Sequence, residues 1–282
     1  MNRRAFSFAV LVFTVLAPGL AQQRLFTPPE SAREALKLVT SSSLMGHIRF
    51  LSDDLLEGRA PATHGDKLAQ AYIAAQMEAC GLQPGAHDGS YIQRFPVLSL
   101  TVDPSPAVTV RSKDQSIRLR YGSEFVGAAG NQQPLVEIRD ADIVFVGYGI
   151  VAPEQKWDDY KGTDVRGKVL LFLNDDPPSD DPKFFGGKGR TYYGRWTYKF
   201  EIAAQKGATG AIVIHTNESA GYGWNVVENS WTGEQYELEQ KPNTPATMLN
   251  GWTSKAATER LLAMAGHSLP DLMRRAARQT FK

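Results

Sequence analysis

The hydrophobic residues of this chain change period along its length, and that succession limits the folds open to it. Ser31 to Thr40 reads as a short helix. Leu44, Ile48, Leu51 and Leu55 then repeat at helical spacing until Gly58 and Pro61 stop the pattern. Ala69, Tyr72, Ile73, Gln76, Met77 and Cys80 fall on one face of a further predicted helix. Thr63 and Asp66 have the form of a capping box, and Gly81 stands where a C′ glycine ends a helix. From Tyr91 to Tyr121 the period is two, with Val108, Val110, Ile117, Leu119 and Tyr121 alternating with polar residues. Ile143 to Val151 and Val169 to Leu173 read as strands and Phe200 to Gly207 as a helix. Ala211 to His215 reads as a short buried strand and Pro245 to Leu249 as a last one. Ala256 to Ala265 and Leu269 to Arg278 return to helix. The order predicts an α/β chain whose β-rich middle is inserted between helical flanks.

A length of 282 residues suggests about two domains. Hydrophobic residues at 42% and charged residues at 22% suffice for a packed core and exclude a disordered or multi-span membrane chain. Lys and Arg (31) nearly balance Asp and Glu (30), which leaves no basic excess for nucleic acid or an anionic membrane. The single cysteine excludes an intrachain disulfide and a cysteine-rich zinc site, and its helical position predicts that Cys80 points into the core. Arg3 and Arg4, the apolar run Ala5 to Leu16 and the small residues Gly19 and Ala21 predict an export signal over 1–21. The arginine pair resembles a twin-arginine signal. The run is shorter than the roughly 20 residues of a spanning helix. The mature protein is thus expected in the periplasm or outside the cell, with no membrane partner after cleavage.

The five histidines are dispersed. His64-Gly65-Asp66 has the form His-x-Asp, but residues i and i+2 of a helix point about 200° apart, and Asp66 is better explained as a first-turn acid. His47 is expected at a solvent-facing or core-edge position, His87 in a loop, and His215 at the end of a buried strand. Asp175, Asp176, Asp180 and Asp181 lie in a proline-rich loop, read as solvated in preference to a calcium site. The aromatic group Phe184, Phe185, Tyr192, Tyr193, Trp196, Tyr198 and Phe200 is read mainly as core, with a peptide- or sugar-binding surface as the alternative. Asn217-Glu218-Ser219 is a formal glycosylation acceptor. No nucleophile elbow, phosphate loop or dinucleotide fingerprint is present.

Two stretches carry a family resemblance. Residues 44–96 combine the turn Leu56-Glu57-Gly58-Arg59-Ala60-Pro61, the helix holding Tyr72-Ile73-Ala74, the stop Gly81-Leu82-Gln83-Pro84 and the segment Tyr91-Ile92-Gln93-Arg94-Phe95. This resembles the N-terminal part of secreted two-zinc aminopeptidases. Trp157-Asp158-Asp159-Tyr160, Gly162, Asp164-Val165, Gly167-Lys168-Val169, then Gly194 to Glu201 and Lys206-Gly207-Ala208, are similar to the protease-associated domain inserted into those enzymes. After the signal peptide at 1–21, the resemblance implies the N-terminal part of a peptidase domain over 22–125, a protease-associated domain over 126–250 and the start of the remaining peptidase domain over 251–282. It implies hydrolysis of peptides at their N-terminus with two zinc ions, held by histidines and carboxylates, and a glutamate as general base. Those ligands begin, in the family, with a His-x-Asp motif after the insertion. No such motif follows residue 215, so no catalytic or metal residue carries over and the chain itself is expected to bind no zinc. The insertion helps form the substrate entrance in the family, and Tyr192, Tyr193 and Trp196 are the candidate contacts there. A secreted, non-catalytic module that binds peptides or glycans is the alternative. With no run of βα units to build a central sheet, the apolar faces near 44–80 and 256–278 are expected to lie uncovered.

Overall fold

The computed structural model describes residues 28–105 and 108–281. The expected export signal at 1–21 lies outside them. The chain divides into two compact units, Met1–Gln93 and Arg94–Lys282.

In the first unit α1 (Glu30–Leu36) and α2 (Ser41–Leu51) precede a 3-10 segment, Asp54–Arg59, and α3 (His64–Ala79). Thr40 and Ser43 form a reciprocal capping box at the start of α2. At α3, Thr63 Oγ1 accepts from the Asp66 N–H, but the Asp66 carboxylate accepts from Ala62 N–H rather than from the cap residue. Gly81, at φ +74°, ends α3 in a Schellman turn: its N–H reaches Glu78 O, and that of Leu82 reaches Met77 O. Gly65 lets α3 rest directly on the 3-10 segment, because a Cβ there would lie 1.7 Å from Leu56 O. Leu56 and Ala69 are buried at this contact.

The period read from the sequence marks the apolar face of α2 and α3 correctly, yet no described element of this unit covers it. Leu44 and Ile48 are 51% and 53% exposed, and Ile73, Met77 and Leu82 are exposed as well. Cys80 is exposed too. Its expected place in the core is therefore corrected: it is on the apolar side of its helix, but that side is open.

The second unit is a mixed α/β structure. Its strands are β1 (Val97–Leu100), β2 (Val108–Ser112), β3 (Gln115–Leu119), β4 (Phe125–Ala129), β5 (Ile143–Phe145), β6 (Val151–Ala152), β7 (Trp157–Asp158) and β8 (Val169–Leu173). There follow α4 (Trp196–Gln205), β9 (Gly210–His215), α5 (Asn217–Ala220), α6 (Trp224–Thr232), β10 (Gln235–Leu238), β11 (Leu249–Ser254), α7 (Lys255–Met264) and α8 (Leu269–Ala276). The main sheet has five strands in the order β4-β11-β9-β8-β5. β5, β8, β9 and β11 run parallel, and β4 closes the β11 edge antiparallel. Small antiparallel pairs join β1 to β10, β2 to β3 and β6 to β7. Every residue of β8 and β9 is buried, as expected of parallel strands covered on both faces.

Three readings are corrected. Ile143 to Val151 is not one strand. The strand ends at Phe145, two further hydrogen bonds hold Val146 and Gly147 to β8, and Gly147 and Gly149, at φ +60° and +61°, turn the chain toward β6. A Cβ on Gly149 would meet the Phe172 ring at 2.3 Å. The last strand begins at Leu249 rather than ending there, and it passes so close to β4 that a Cβ on Gly251 would lie 2.4 Å from Val126 O. The closing helices are not uncovered either. Ala257, Leu262, Leu269, Leu272 and Ala276 join the same core as β8 and β9, because the parallel strands supply the sheet that the sequence reading did not foresee.

Candidate functional site

β8 and β9 run side by side, with Leu173 opposite Ile214, and both deliver the chain to the same edge of the sheet. In open parallel sheets this edge, outside the carboxyl ends of the strands, is where ligands bind. Here it opens into a crevice of about 610 Å³ whose lining includes Tyr148, Asn174, Asp175, Asp180, Thr216 and Glu218.

Lys199 stands behind this crevice. It projects from α4 on the face shared with Ile202 and Ala203 and is completely buried. Its ammonium donates to Tyr148 O and Tyr193 O, both at 2.7 Å, and to Asp175 O at 3.2 Å. Three donors meet three carbonyls, which is the full capacity of an ammonium group. Burial pushes its pKa down to about 7, while Asp176, Asp159 and Asp175 pull the other way. Lys199 thus ties the loops after β5 and β8 to the turn before α4.

The acidic loop is only partly solvated, which corrects the sequence reading. Asp180 and Asp181 are exposed, but Asn174 and Asp176 are buried. Asp176 accepts from the Thr191 N–H at 2.6 Å and from the Thr191 hydroxyl at 2.8 Å. Asp175 pairs with Arg190, which also donates to Ser219 O. Asn174 Nδ2 donates to Ser219 O at 3.3 Å, and its Oδ1 has no partner among the described residues. The lining is rich in acceptors and carboxylates, an arrangement suited to binding a donor rather than to nucleophilic attack.

The three aromatic candidates divide between two ring clusters. Tyr192 is exposed and its hydroxyl donates to the Glu201 carboxylate at 2.6 Å. Tyr193 is half-buried and donates to Glu154 at 2.9 Å, and both tyrosines pack edge-on against Tyr198. Trp196 is 38% exposed and packs instead on Phe200 and Trp231. Of the wider aromatic group, Phe185 and Tyr198 are buried, and Phe184 and Phe200 pack against the core.

The histidines do not converge. His47 shares a 2.9 Å hydrogen bond with the Tyr72 hydroxyl. His64 opens α3, and its neighbour Asp66 is engaged with Ala62 N–H and Gln70. His215 is 2% exposed among the rings of Tyr222, Trp224 and Trp252. Burial lowers its pKa, and its Nε2 has no partner among the described residues. Among the described residues no three His, Cys, Asp or Glu side chains come together to hold a metal.

The sequence reading missed Lys199 and Asn174. A signal existed for Lys199, which lies three and four residues before Ile202 and Ala203 on an apolar face. Asn174 carried none beyond following a buried strand. The chain matches no protein-family model, no curated protein and no solved structure.

Proposed function

We propose that the chain is the N-terminal portion of an exported zinc aminopeptidase-type peptide hydrolase, carrying its protease-associated domain and not itself catalytic. The reading rests on the resemblance over 44–96 and 157–208. The observation that carries it is the open apolar face of α2 and α3. Leu44, Ile48, Ile73 and Met77 repeat at core spacing yet remain exposed. Full burial of one such side chain is worth about 1.5–3 kcal/mol, so the face is built to be covered by further peptidase structure. Peptides are the substrates on this reading, and the two zinc ions belong to residues other than those described. No helix among the described residues is long and apolar enough to cross a membrane. The test is direct: the purified chain, supplied with zinc, should neither retain stoichiometric metal nor hydrolyse aminoacyl anilides.

A second reading is a secreted module that binds peptides or glycans without catalysis. The acceptor-rich crevice favours it. Binding of a ligand at that crevice with no hydrolysis in any assembly would select it.

A further inference from the structure

We propose that His215 is an acid-sensitive latch: when its imidazole takes up a proton, the segment 216–224 lets go of the sheet and one wall of the crevice opens. Thr216, Glu218 and Ser219 of that segment line the crevice. The segment runs from the cap Thr216 through the single turn α5, Gly221, Tyr222 and Gly223 to Trp224 at the start of α6.

His215 ends β9 and is buried under the segment it would release. The rings of Tyr222 and Trp224 lie against it at 5.8 and 5.6 Å. That of Trp252, two residues before its register partner Ser254, lies at 6.3 Å. Tyr222 and Trp224 therefore fasten the far end of the segment to the imidazole, and Trp224 Nε1 also donates to Gly122 O at 2.8 Å. At the near end Thr216 Oγ1 accepts from Ser219 N–H, and Ser219 O accepts from Asn174 and Arg190. The imidazole makes a backbone hydrogen bond with Tyr222, while its Nε2 has no partner among the described residues. That bond thus belongs to Nδ1, and a second proton falls on Nε2. An imidazolium has two donors to satisfy, and ring faces accept an N–H only weakly. Trp252 Nε1 is buried and unpaired among the described residues, but it too is a donor and receives no proton. Burial accordingly holds His215 below its ordinary 6.5, against the Tyr222 bond and the charge of Glu218. Around it, Glu218 of α5 favours the proton, and Lys255 at the start of α7 draws on Glu218. The one charge of α6, Glu228, lies against Gly122, and β9 and β11 carry no other titratable side chain. Once the segment is released, His215 regains its ordinary 6.5. The closed form is therefore favoured fully above that value and loses ground as pH falls below it.

The test is a pH titration of the purified chain by NMR, from about pH 8 to about pH 4.5, which spans the histidine range. The His215 ring should titrate with a midpoint below 6.5, and the amides of 216–224 should shift with that same midpoint. Their hydrogen-exchange protection, corrected for the intrinsic rate, should fall by up to about tenfold per pH unit below the ordinary histidine value, while that of β8 holds. His215→Phe keeps a ring in place and takes no proton, so the pH response of 216–224 should vanish. If that variant does not fold, Tyr222→Leu gives the second reading: with the imidazole uncovered, its midpoint should return toward 6.5. Glu218→Gln should keep the response, which separates it from titration of the crevice carboxylate. A His215 midpoint at or above 6.5, a titrating His215 with 216–224 unmoved, a wild-type response in His215→Phe, or an unchanged midpoint in Tyr222→Leu would overturn the proposal.

Discussion

At the scale of single residues, Lys199 shows how one polar side chain organises a loop cluster. Replacing it with Met leaves the carbonyls of Tyr148, Asp175 and Tyr193 without their donor. Lys199→Met should therefore lose about 3–5 kcal/mol, read from the urea midpoint. The pH dependence has a definite sign. The folded ammonium lies at about 7, below its ordinary 10.5. Between those values the unfolded chain holds a proton that the folded chain has released, so folding gains stability as pH rises. The wild-type stability measured relative to Lys199→Met should rise across that window, and a fall would contradict the assignment. The burial of Lys199 was legible in the spacing of α4. Its partners were not, because two of the three carbonyls come from loops 51 and 24 residues earlier in the chain.

At the scale of elements, close approach decides what propensity leaves open. Gly65 holds α3 against the 3-10 segment with no room for a Cβ. Gly65→Ala should cost the 1–3 kcal/mol typical of overpacking, visible as loss of hydrogen-exchange protection in α3. Glu124 joins the approach to β4 to α7. It accepts from the Arg120 N–H and pairs with the guanidinium groups of Arg120 and Arg260. The Arg120 backbone N–H, followed by the side-chain hydrogen bonds of Arg260 and Arg120 and the charge of Arg260, holds its carboxyl at about 2 against burial. Its folded pKa is depressed, so its stabilising effect is complete above about 4.5 and lost as pH falls through 2. Glu124→Gln should flatten the acid limb of the stability profile; an unchanged acid limb would count against the ion-pair account. The cap residue and C-terminal glycine of α3 and the helical stretches of α2, α7 and α8 were readable because they are local, whereas Thr40, read as the end of the first helix, caps α2. The break after β5 and the late start of β11 were not, because Gly149 and Gly251 answer to a ring and a strand distant in sequence.

At the scale of the whole molecule, the two units differ in how completely they bury what their sequences mark as apolar. Arg94–Lys282 places its parallel strands and closing helices in one core, whereas the helices of Met1–Gln93 keep an open face. Replacing Ile73 and Met77 with Lys should reduce binding of a hydrophobic dye without shifting the unfolding of the second unit. The helices of the first unit were legible in their period and in the glycine that ends α3. The crevice was not, since it is assembled from loop ends that share no motif. The central claim is that this chain serves peptide hydrolysis without performing it. The most direct measurement is hydrolysis of aminoacyl anilides by the purified chain in zinc-containing buffer, with and without a chelator. The account predicts no turnover in either condition; robust turnover that the chelator abolishes would contradict it.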